Sequence, residues 1–372
     1  MKVPASARRP EGDSGGVSPT FRASAAREAE GAPQSFDPTA TAHDVALAEL
    51  RRLLGVWAQH EPGVRAGDDP EELHQLRVTA RRIDATLGLF KHQLPGAVVR
   101  ARKSAKSVLR TLGTARDLDV LLGGLEDYSS DLGDEERVAA QPLRALLTGE
   151  RARVHARMVR GLDSQATRHW LETLAAASAE PGGDAEAVLT VMPERVRQRF
   201  RRLKKSVRQL GGKSTLEDYH EVRRRAKQLR YAIECGLPVF GKSADELLKA
   251  LRRLQEQLGA QQDAHMARSR LTALAADPAS PLPPATLFLM GRLAEHHART
   301  TAQARRTLDR PWRKVRGRRW KALRERLAQL SAEAPALTGE LSAASLMPVG
   351  ASEAAPAPAA QEPGPELHPI NH

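Results

Sequence analysis

Two short motifs occur twice in this chain, and both recur at the same distance of 146 residues. The segment His74-Gln-Leu-Arg77-Val-Thr-Ala-Arg81 corresponds to His220-Glu-Val-Arg223-Arg-Arg-Ala-Lys227, and Leu112-Gly113-Thr-Ala-Arg116-Asp117 corresponds to Leu258-Gly259-Ala-Gln-Gln262-Asp263. Because a shared offset is hard to obtain by chance, the sequence predicts two homologous halves. A weaker match between Leu50-Arg-Arg-Leu53 and Phe200-Arg-Arg-Leu203, at an offset of 150, predicts a loop four residues shorter in the second half.

The apolar residues follow a helical period. Leu73, Leu76, Ala80, Ile83, Leu87 and Phe90 are spaced by three or four positions, which predicts one buried face of a helix. Alternating strands with hairpin signals are missing, and glycines and prolines fall where helices would end. We therefore predict an all-α fold of about ten helices. A domain at 41–330 would consist of two homologous helical bundles, 41–180 and 184–330.

The two ends of the chain differ from this helical part. Residues 1–40 are rich in Ala, Gly, Ser and Pro, and residues 331–372 combine seven prolines with five Glu and no Lys or Arg. Both segments are predicted to be disordered. The chain carries a formal charge of +13, and removing the neutral leader and the acidic tail leaves +18 on residues 41–330. Such an excess indicates an anionic partner.

The number of cysteines and the lengths of the apolar runs limit which metal sites and which cellular locations are expected. Cys235 is the only cysteine, so neither an internal disulfide nor a Cys-based metal site is expected. No apolar run approaches the ~20 residues of a membrane span, and no apolar segment follows Arg8 and Arg9 as it would in a secretory signal. We expect a cytoplasmic protein that uses no membrane, metal or cofactor.

Basic side chains line one face of several predicted helices. At about 100° per residue, His74, Arg77 and Arg81 form a stripe beside the apolar face, and the second motif repeats this stripe. Acidic partners are scarce where the bases concentrate, which predicts a bound counter-anion. The candidate binding residues are His74, Arg77, Arg81, Arg82, Lys103, Lys106, Arg110, Arg116, His220, Arg223, Arg225, Lys227, Arg230, Lys249 and Arg252. Alternatively, each histidine is a hydrogen-bonded core residue, and a single Arg stripe is an ordinary solvated face.

These motifs resemble the CHAD family of helical histidine-containing domains over roughly residues 41–330. The resemblance rests on His74-x-x-Arg77-x-x-x-Arg81-Arg82, on Leu112-Gly113-x-x-Arg116-Asp117-x-Asp119, on His220-x-x-Arg223-x-Arg225-x-Lys227-x-x-Arg230-Tyr231, and on the duplication. It implies two helical bundles related by a pseudo-twofold axis, with a basic central surface that binds inorganic polyphosphate. It also implies an association with polyphosphate granules.

Several positions depart from the family pattern. Asp84 stands where a basic residue is usual, Gln228 replaces the second base of the Arg81-Arg82 pair, and Glu256 is the counterpart of Arg110. Gln262 and His265 replace the Arg and Asp of the second Leu-Gly motif. The second Leu-Gly segment is therefore expected to bind more weakly or to serve the scaffold alone.

Polyphosphate suits this composition, because binding it needs many spaced guanidinium and ammonium donors and no aromatic stacking platforms. Only 3% of the residues are aromatic. We predict non-catalytic binding, since no nucleophile–base arrangement is recognisable. Sequence-independent nucleic-acid binding is the alternative, for which the basic cluster between Arg310 and Arg326, with Trp312 and Trp320, is the best feature. A third hypothesis is a granule adaptor whose tails recruit partners; the sequence carries no signal for oligomeric state.

Overall fold

The helical pattern continues through the described parts of the chain. The computed structural model describes residues 36–179 and 186–346, with side chains to residue 334. The first half contains α1 (Ala42–Ala66), α2 (Pro70–Leu89), α3 (Gly96–Ser130), α4 (Asp134–Leu162) and α5 (Gln165–Ala179). The second half contains α6 (Val188–Gln209), α7 (Leu216–Cys235), α8 (Leu237–Phe240), α9 (Lys242–Ala275), α10 (Pro284–Thr307), α11 (Asp309–Lys314) and α12 (Trp320–Leu346). A π-helical turn, Val315–Arg319, joins α11 to α12.

Ten of the helices in these ranges have 15 residues or more. Residues 36–179 and 186–346 contain no β-strand, only one isolated antiparallel bridge between Thr41 and Ala187. The predicted all-α fold of about ten helices is therefore confirmed. None of the helices in this part of the chain combines the length and the apolar character needed to cross a membrane.

The duplication is visible in the ends of the helices. Helix α7 begins and ends 146 residues after α2, and α9 begins 146 residues after α3. The first helices of the halves, α1 and α6, also begin 146 residues apart, and the turn before α7 is longer than the turn before α2. The predicted offset of 150 in this region, with a shorter second loop, is therefore wrong by one helical turn.

Capping residues explain why the equivalent helices begin where they do. The side chain of Asp69 accepts a hydrogen bond from the Glu71 amide, and Pro70 occupies the first turn of α2. At the start of α7, Thr215 and Asp218 form a reciprocal capping box. Both devices satisfy amide groups that have no partner inside the helix. The basic stripe of each half therefore starts at a fixed point, one turn into a capped helix.

One apolar core runs through both halves. Leu76, Ile83 and Leu87 of α2 are fully buried, and so are Val222 and Leu229 of α7. The two halves are also joined through their backbones. The amide of Ala42 donates to the carbonyl of Glu186 (2.9 Å), and the amide of Val188 donates to the carbonyl of Ala40 (3.0 Å). Each bond holds the start of α1 against the start of α6.

The predicted start of the C-terminal tail requires a correction. Helix α12 continues through residue 331 to Leu346, and Leu330 and Ala334 are buried against the core. This burial extends the packed helix beyond the predicted boundary. Residues 36–40 of the predicted leader belong to the described part, whereas 1–35 and 347–372 lie outside it.

Candidate anion-binding surface

Equivalent side chains of the two halves come together at one place, which we call the central cluster: Arg77, Arg223, Asp117 and Asp263. The pKa of Arg77 is lowered to about 10, first because the guanidinium is buried and next because the positive charge of Arg81 lies near it. Asp117 opposes this effect, and the charge of Arg223 adds to it. Arg77 and Arg223 occupy the same position in the two motifs, so both halves contribute to one electrostatic environment.

The carboxylates of the central cluster show the same convergence. The pKa of Asp117 is raised, chiefly because the carboxyl loses hydration against the protein. Arg77 counteracts the rise, whereas the nearby charge of Asp263, the counterpart of Asp117 in the second half, adds to it. These two acids lie among the arginines of both halves. This arrangement agrees with a role in orienting the arginines.

The Leu-Gly motif makes room for Arg77. A Cβ atom added at Gly113 would lie 2.7 Å from Nη1 of Arg77, and the same Nη1 donates to the carbonyl of Leu109 at 3.5 Å. In the second half, Nη1 of Arg223 donates to Oε1 of Gln262 at 2.6 Å. Gln262 stands where the first half has Arg116, whose charge contributes to lowering the pKa of Arg77. The replacement of arginine by Gln262 in the second half therefore gives Arg223 a hydrogen-bond acceptor, where Arg77 has a repelling positive charge nearby.

The remaining predicted bases of α2, α3, α7 and α9 differ in accessibility. Lys103, Lys106, Arg110 and Lys249 are exposed, and His74, Arg81, Arg116, His220 and Lys227 are half-buried. Among these side chains, Lys249 pairs with Glu246 (3.0 Å), and Arg116 donates to the carbonyl of Pro70 (3.3 Å). A third predicted residue, Arg225, pairs with Glu221 on its own helix (2.5 Å).

Three predicted binding residues lie instead in what we call the Glu234 cluster, formed by Glu234, Arg82, Arg230 and Arg252. The shortest N–O distances to Glu234 are 3.6 Å for Arg82, 3.6 Å for Arg230 and 3.7 Å for Arg252. Arg230 is only 2% exposed, and its guanidinium also lies over the ring of Tyr231. Arg230 therefore lies in the interior, paired with a carboxylate, and its binding role stays a prediction. Arg82 joins the first half to the second through the same carboxylate.

One basic residue near this surface was missed by the sequence analysis. The pKa of Arg199 on α6 is lowered to about 10, because its guanidinium is buried and because the charges of Arg102 and Arg202 lie near it. Its Nη1 donates to the carbonyl of Gln228 on α7 at 3.3 Å. The signal was present in the sequence, since Arg195, Arg199 and Arg202 are spaced as one face of a helix.

Asp84, which departs from the family pattern, has a partner close by. Arg102 of α3 donates from Nε to Oδ1 of Asp84 at 2.7 Å. The acid therefore neutralises a neighbouring arginine of its own half. It also stabilises the positive charge of Arg199.

The tryptophans of the C-terminal basic segment face the core. Trp320 stacks on Phe200 with ring centroids 3.7 Å apart, and Trp312 lies 6.2 Å from the same ring and is buried. Rings that pack in this way are occupied by the core and offer no platform for bases.

Comparisons with known proteins agree with this architecture. The family model described as CHAD domain matches residues 48–272. Two uncharacterized proteins of Mycobacterium tuberculosis, from strains CDC 1551 / Oshkosh and ATCC 25618 / H37Rv, are each 27% identical over 76% of this chain. The aligned region is 55% of each of those proteins, so the chain spans about half the length of the curated relatives it matches.

Two solved structures share the fold. PptA from Streptomyces chartreusis superposes with a TM-score of 0.57 at 22% identity, covering 74% of this chain and 100% of that one. The CHAD domain from the plant Ricinus communis superposes with a TM-score of 0.56 at 23% identity, covering 79% and 94%. At these identities the likeness establishes the fold.

Proposed function

Because the chain belongs to the CHAD domain family, whose model covers residues 48–272, we propose that it binds inorganic polyphosphate on the basic surface shared by its two halves. The observation that carries this proposal is the approach of Arg77 to Arg223, the equivalent arginines of the two halves. Their like charges repel each other, and a polyanion bound between them would offset that repulsion. We propose binding without catalysis.

The chemistry around the central cluster favours a phosphate chain. Guanidinium groups hold phosphate oxygens through two parallel hydrogen bonds, and exposed lysines such as Lys103 and Lys106 add point charges along the same helix. A linear polyanion with one charge per phosphate can engage such donors one after another. Binding of this kind would place the protein on polyphosphate granules in the cytoplasm. It is also compatible with the adaptor hypothesis, in which the tails recruit partners to the granule.

Nucleic acid is the second candidate partner. The exposed bases Arg310, Arg313, Lys314, Arg316 and Arg318 favour it, because contacts to phosphates supply most of the affinity of sequence-independent binding. The core packing of Trp312 and Trp320 argues against base stacking in this segment.

Titration of the full chain against polyphosphate, single-stranded DNA and heparin at matched charge tests the proposal. We expect polyphosphate to bind about tenfold more tightly than either other polymer, a difference of about 1.4 kcal/mol. The logarithm of the affinity should fall linearly and steeply with the logarithm of NaCl concentration, because bound phosphates release counterions. Equal affinities for all three polymers would contradict polyphosphate specificity, and tighter DNA binding would favour the second candidate.

Gly113→Ala tests the link between the Leu-Gly motif and binding. The new methyl group displaces the Arg77 guanidinium, so we expect polyphosphate affinity to fall about fivefold. Alanine is the better helix former by about 0.5–1 kcal/mol, so the free energy of unfolding should hold or rise. Gly123→Ala on the same helix is the matched control, because its Cβ would meet no neighbouring atom within 4 Å. Affinity is measured by calorimetry. If Gly113→Ala bound polyphosphate as tightly as the unsubstituted protein, the Leu-Gly motif would not contribute to binding.

A further inference from the structure

Helix α6 carries a third basic stripe that the proposed central site does not include. Arg195, Arg199 and Arg202 follow one another at intervals of four and three residues, which places them on one face of α6. We call this set the α6 stripe. The charges of Arg195 and Arg202 both act on the Arg199 guanidinium, and so does that of Arg102 from the first half. Four guanidinium groups from α3 and α6 therefore lie in one neighbourhood.

The surroundings of the α6 stripe are less completely neutralised by acids than the Glu234 cluster is. In the Glu234 cluster, Glu234 lies within 3.7 Å of three arginines, and Arg52 of α1 pairs with Glu49 beside it. Around the α6 stripe, Asp84 accepts from Arg102. Within the described part of the chain, no ion pair joins Arg195, Arg199 or Arg202 to a carboxylate. The Glu234 cluster is thus internally paired, whereas the α6 stripe has charge to offer an external anion.

The α6 stripe adjoins the proposed central site. Asp84 lies three residues beyond Arg81 on the same helix, and Gln228, whose carbonyl accepts from Arg199 (3.3 Å), directly follows Lys227. A helix rises about 1.5 Å per residue, so these contacts lie within about one turn of the last bases of the two stripes. Arg199 therefore lies close to the end of the second stripe.

We propose that Arg102 and the α6 stripe form a second phosphate subsite, which polyphosphate chains occupy only when they are long enough to extend beyond the central cluster. This inference rests on the proposed function and adds a preference for long chains. Burial and the neighbouring cations both disfavour the positive charge of Arg199, and the negative oxygens of a bound phosphate would stabilise it. Tripolyphosphate fills the central cluster alone.

The test compares tripolyphosphate with long-chain polyphosphate on the full chain carrying Arg195→Gln and Arg202→Gln. Arg202 is exposed and Arg195 is half-buried, and glutamine keeps most of the length of each side chain. We therefore expect the core to stay intact, and an unchanged melting temperature checks this. We expect the affinity for long chains to fall about tenfold and the affinity for tripolyphosphate to stay within about twofold. Arg201→Gln is the matched control, because it removes one charge from α6 at a side chain already paired with Glu194.

Each alternative outcome has a distinct meaning. Unchanged long-chain affinity in the double variant overturns the subsite. An equal loss for both ligands also overturns it, because the stripe would then be part of the central site or act through the general charge of the protein. Failure of the unsubstituted protein to bind either ligand overturns the proposed function itself, and the subsite with it.

Discussion

Replacing Arg77 and Arg223 together with glutamine is expected to weaken polyphosphate binding about a hundredfold, and each single replacement about tenfold. The reason is that each guanidinium supplies charge-assisted hydrogen bonds to phosphate, and the two groups belong to one cluster. Calorimetric titration gives the affinity and the stoichiometry in one measurement. One shared site predicts a stoichiometry that stays constant while the affinity falls.

Two separate sites would give a different result. Each single variant would then lose half of the bound polyphosphate while the remaining half kept its affinity, and this outcome would contradict a shared site. Folding should survive the change, since the lowered pKa of Arg77 means that its charge is unfavourable in the folded protein at neutral pH. We therefore expect the melting temperature to hold or rise. Arg299→Gln, at an exposed arginine paired with Glu295, controls for loss of one charge.

Glu234→Gln is expected to lower the free energy of unfolding by about 3–5 kcal/mol, the usual cost of leaving a buried ion without its partner. Glutamine keeps the shape of the side chain and removes the charge on which Arg82, Arg230 and Arg252 all depend. Arg230 suffers most, because at 2% exposure water cannot replace the lost carboxylate. Urea unfolding followed by circular dichroism measures the change.

Glu246→Gln provides the control for this prediction. Glu246 also contacts two cations, Lys249 and Arg319, but its side chain is exposed and its ion pairs are screened by water. A loss of about 1 kcal/mol or less is expected there. If both variants lost the same stability, Glu234 would have no special part in holding the two halves together.

Much of the fold could be predicted because two signals in the sequence, the repeated motifs and the helical spacing of apolar residues, indicate the same helices. The duplication predicted equivalent helices, and the ends of α2 and α7 reproduce its offset of 146. The spacing of Leu76, Ile83 and Leu87 predicted the buried face of α2, which the core confirms. The offset between α1 and α6 was misjudged because four residues turn a helix by only about 40° beyond a full turn, so a slip of one turn keeps the apolar face.

The candidate site was predicted less completely, for two physical reasons. Helical geometry gives the direction of a side chain around its own axis, but not what lies opposite; Arg230 shares the stripe of His220 yet faces Glu234 in the interior. Arg199 was missed because no base corresponds to it in the first half: its counterpart is Glu49 at the predicted offset of 150 and Leu53 at the observed offset of 146. A search for bases repeated in both halves passes over a base that only one half has.

The backbone hydrogen bond between Ala42 and Glu186 also limits how far the protein can fold while it is being synthesised. The chain leaves the ribosome from its N-terminal end, so α1 is complete long before its hydrogen-bonding partner beside α6 exists. At about 5–20 residues per second, the intervening segment takes roughly 7–30 s to synthesise. Throughout that interval the apolar face of α1 has only the first half to pack against, and Arg52 is synthesised well before Glu234. The first half is therefore synthesised in full before α6, the helix whose start is bonded to the start of α1, has been translated. Apolar surface that is exposed during such an interval promotes aggregation.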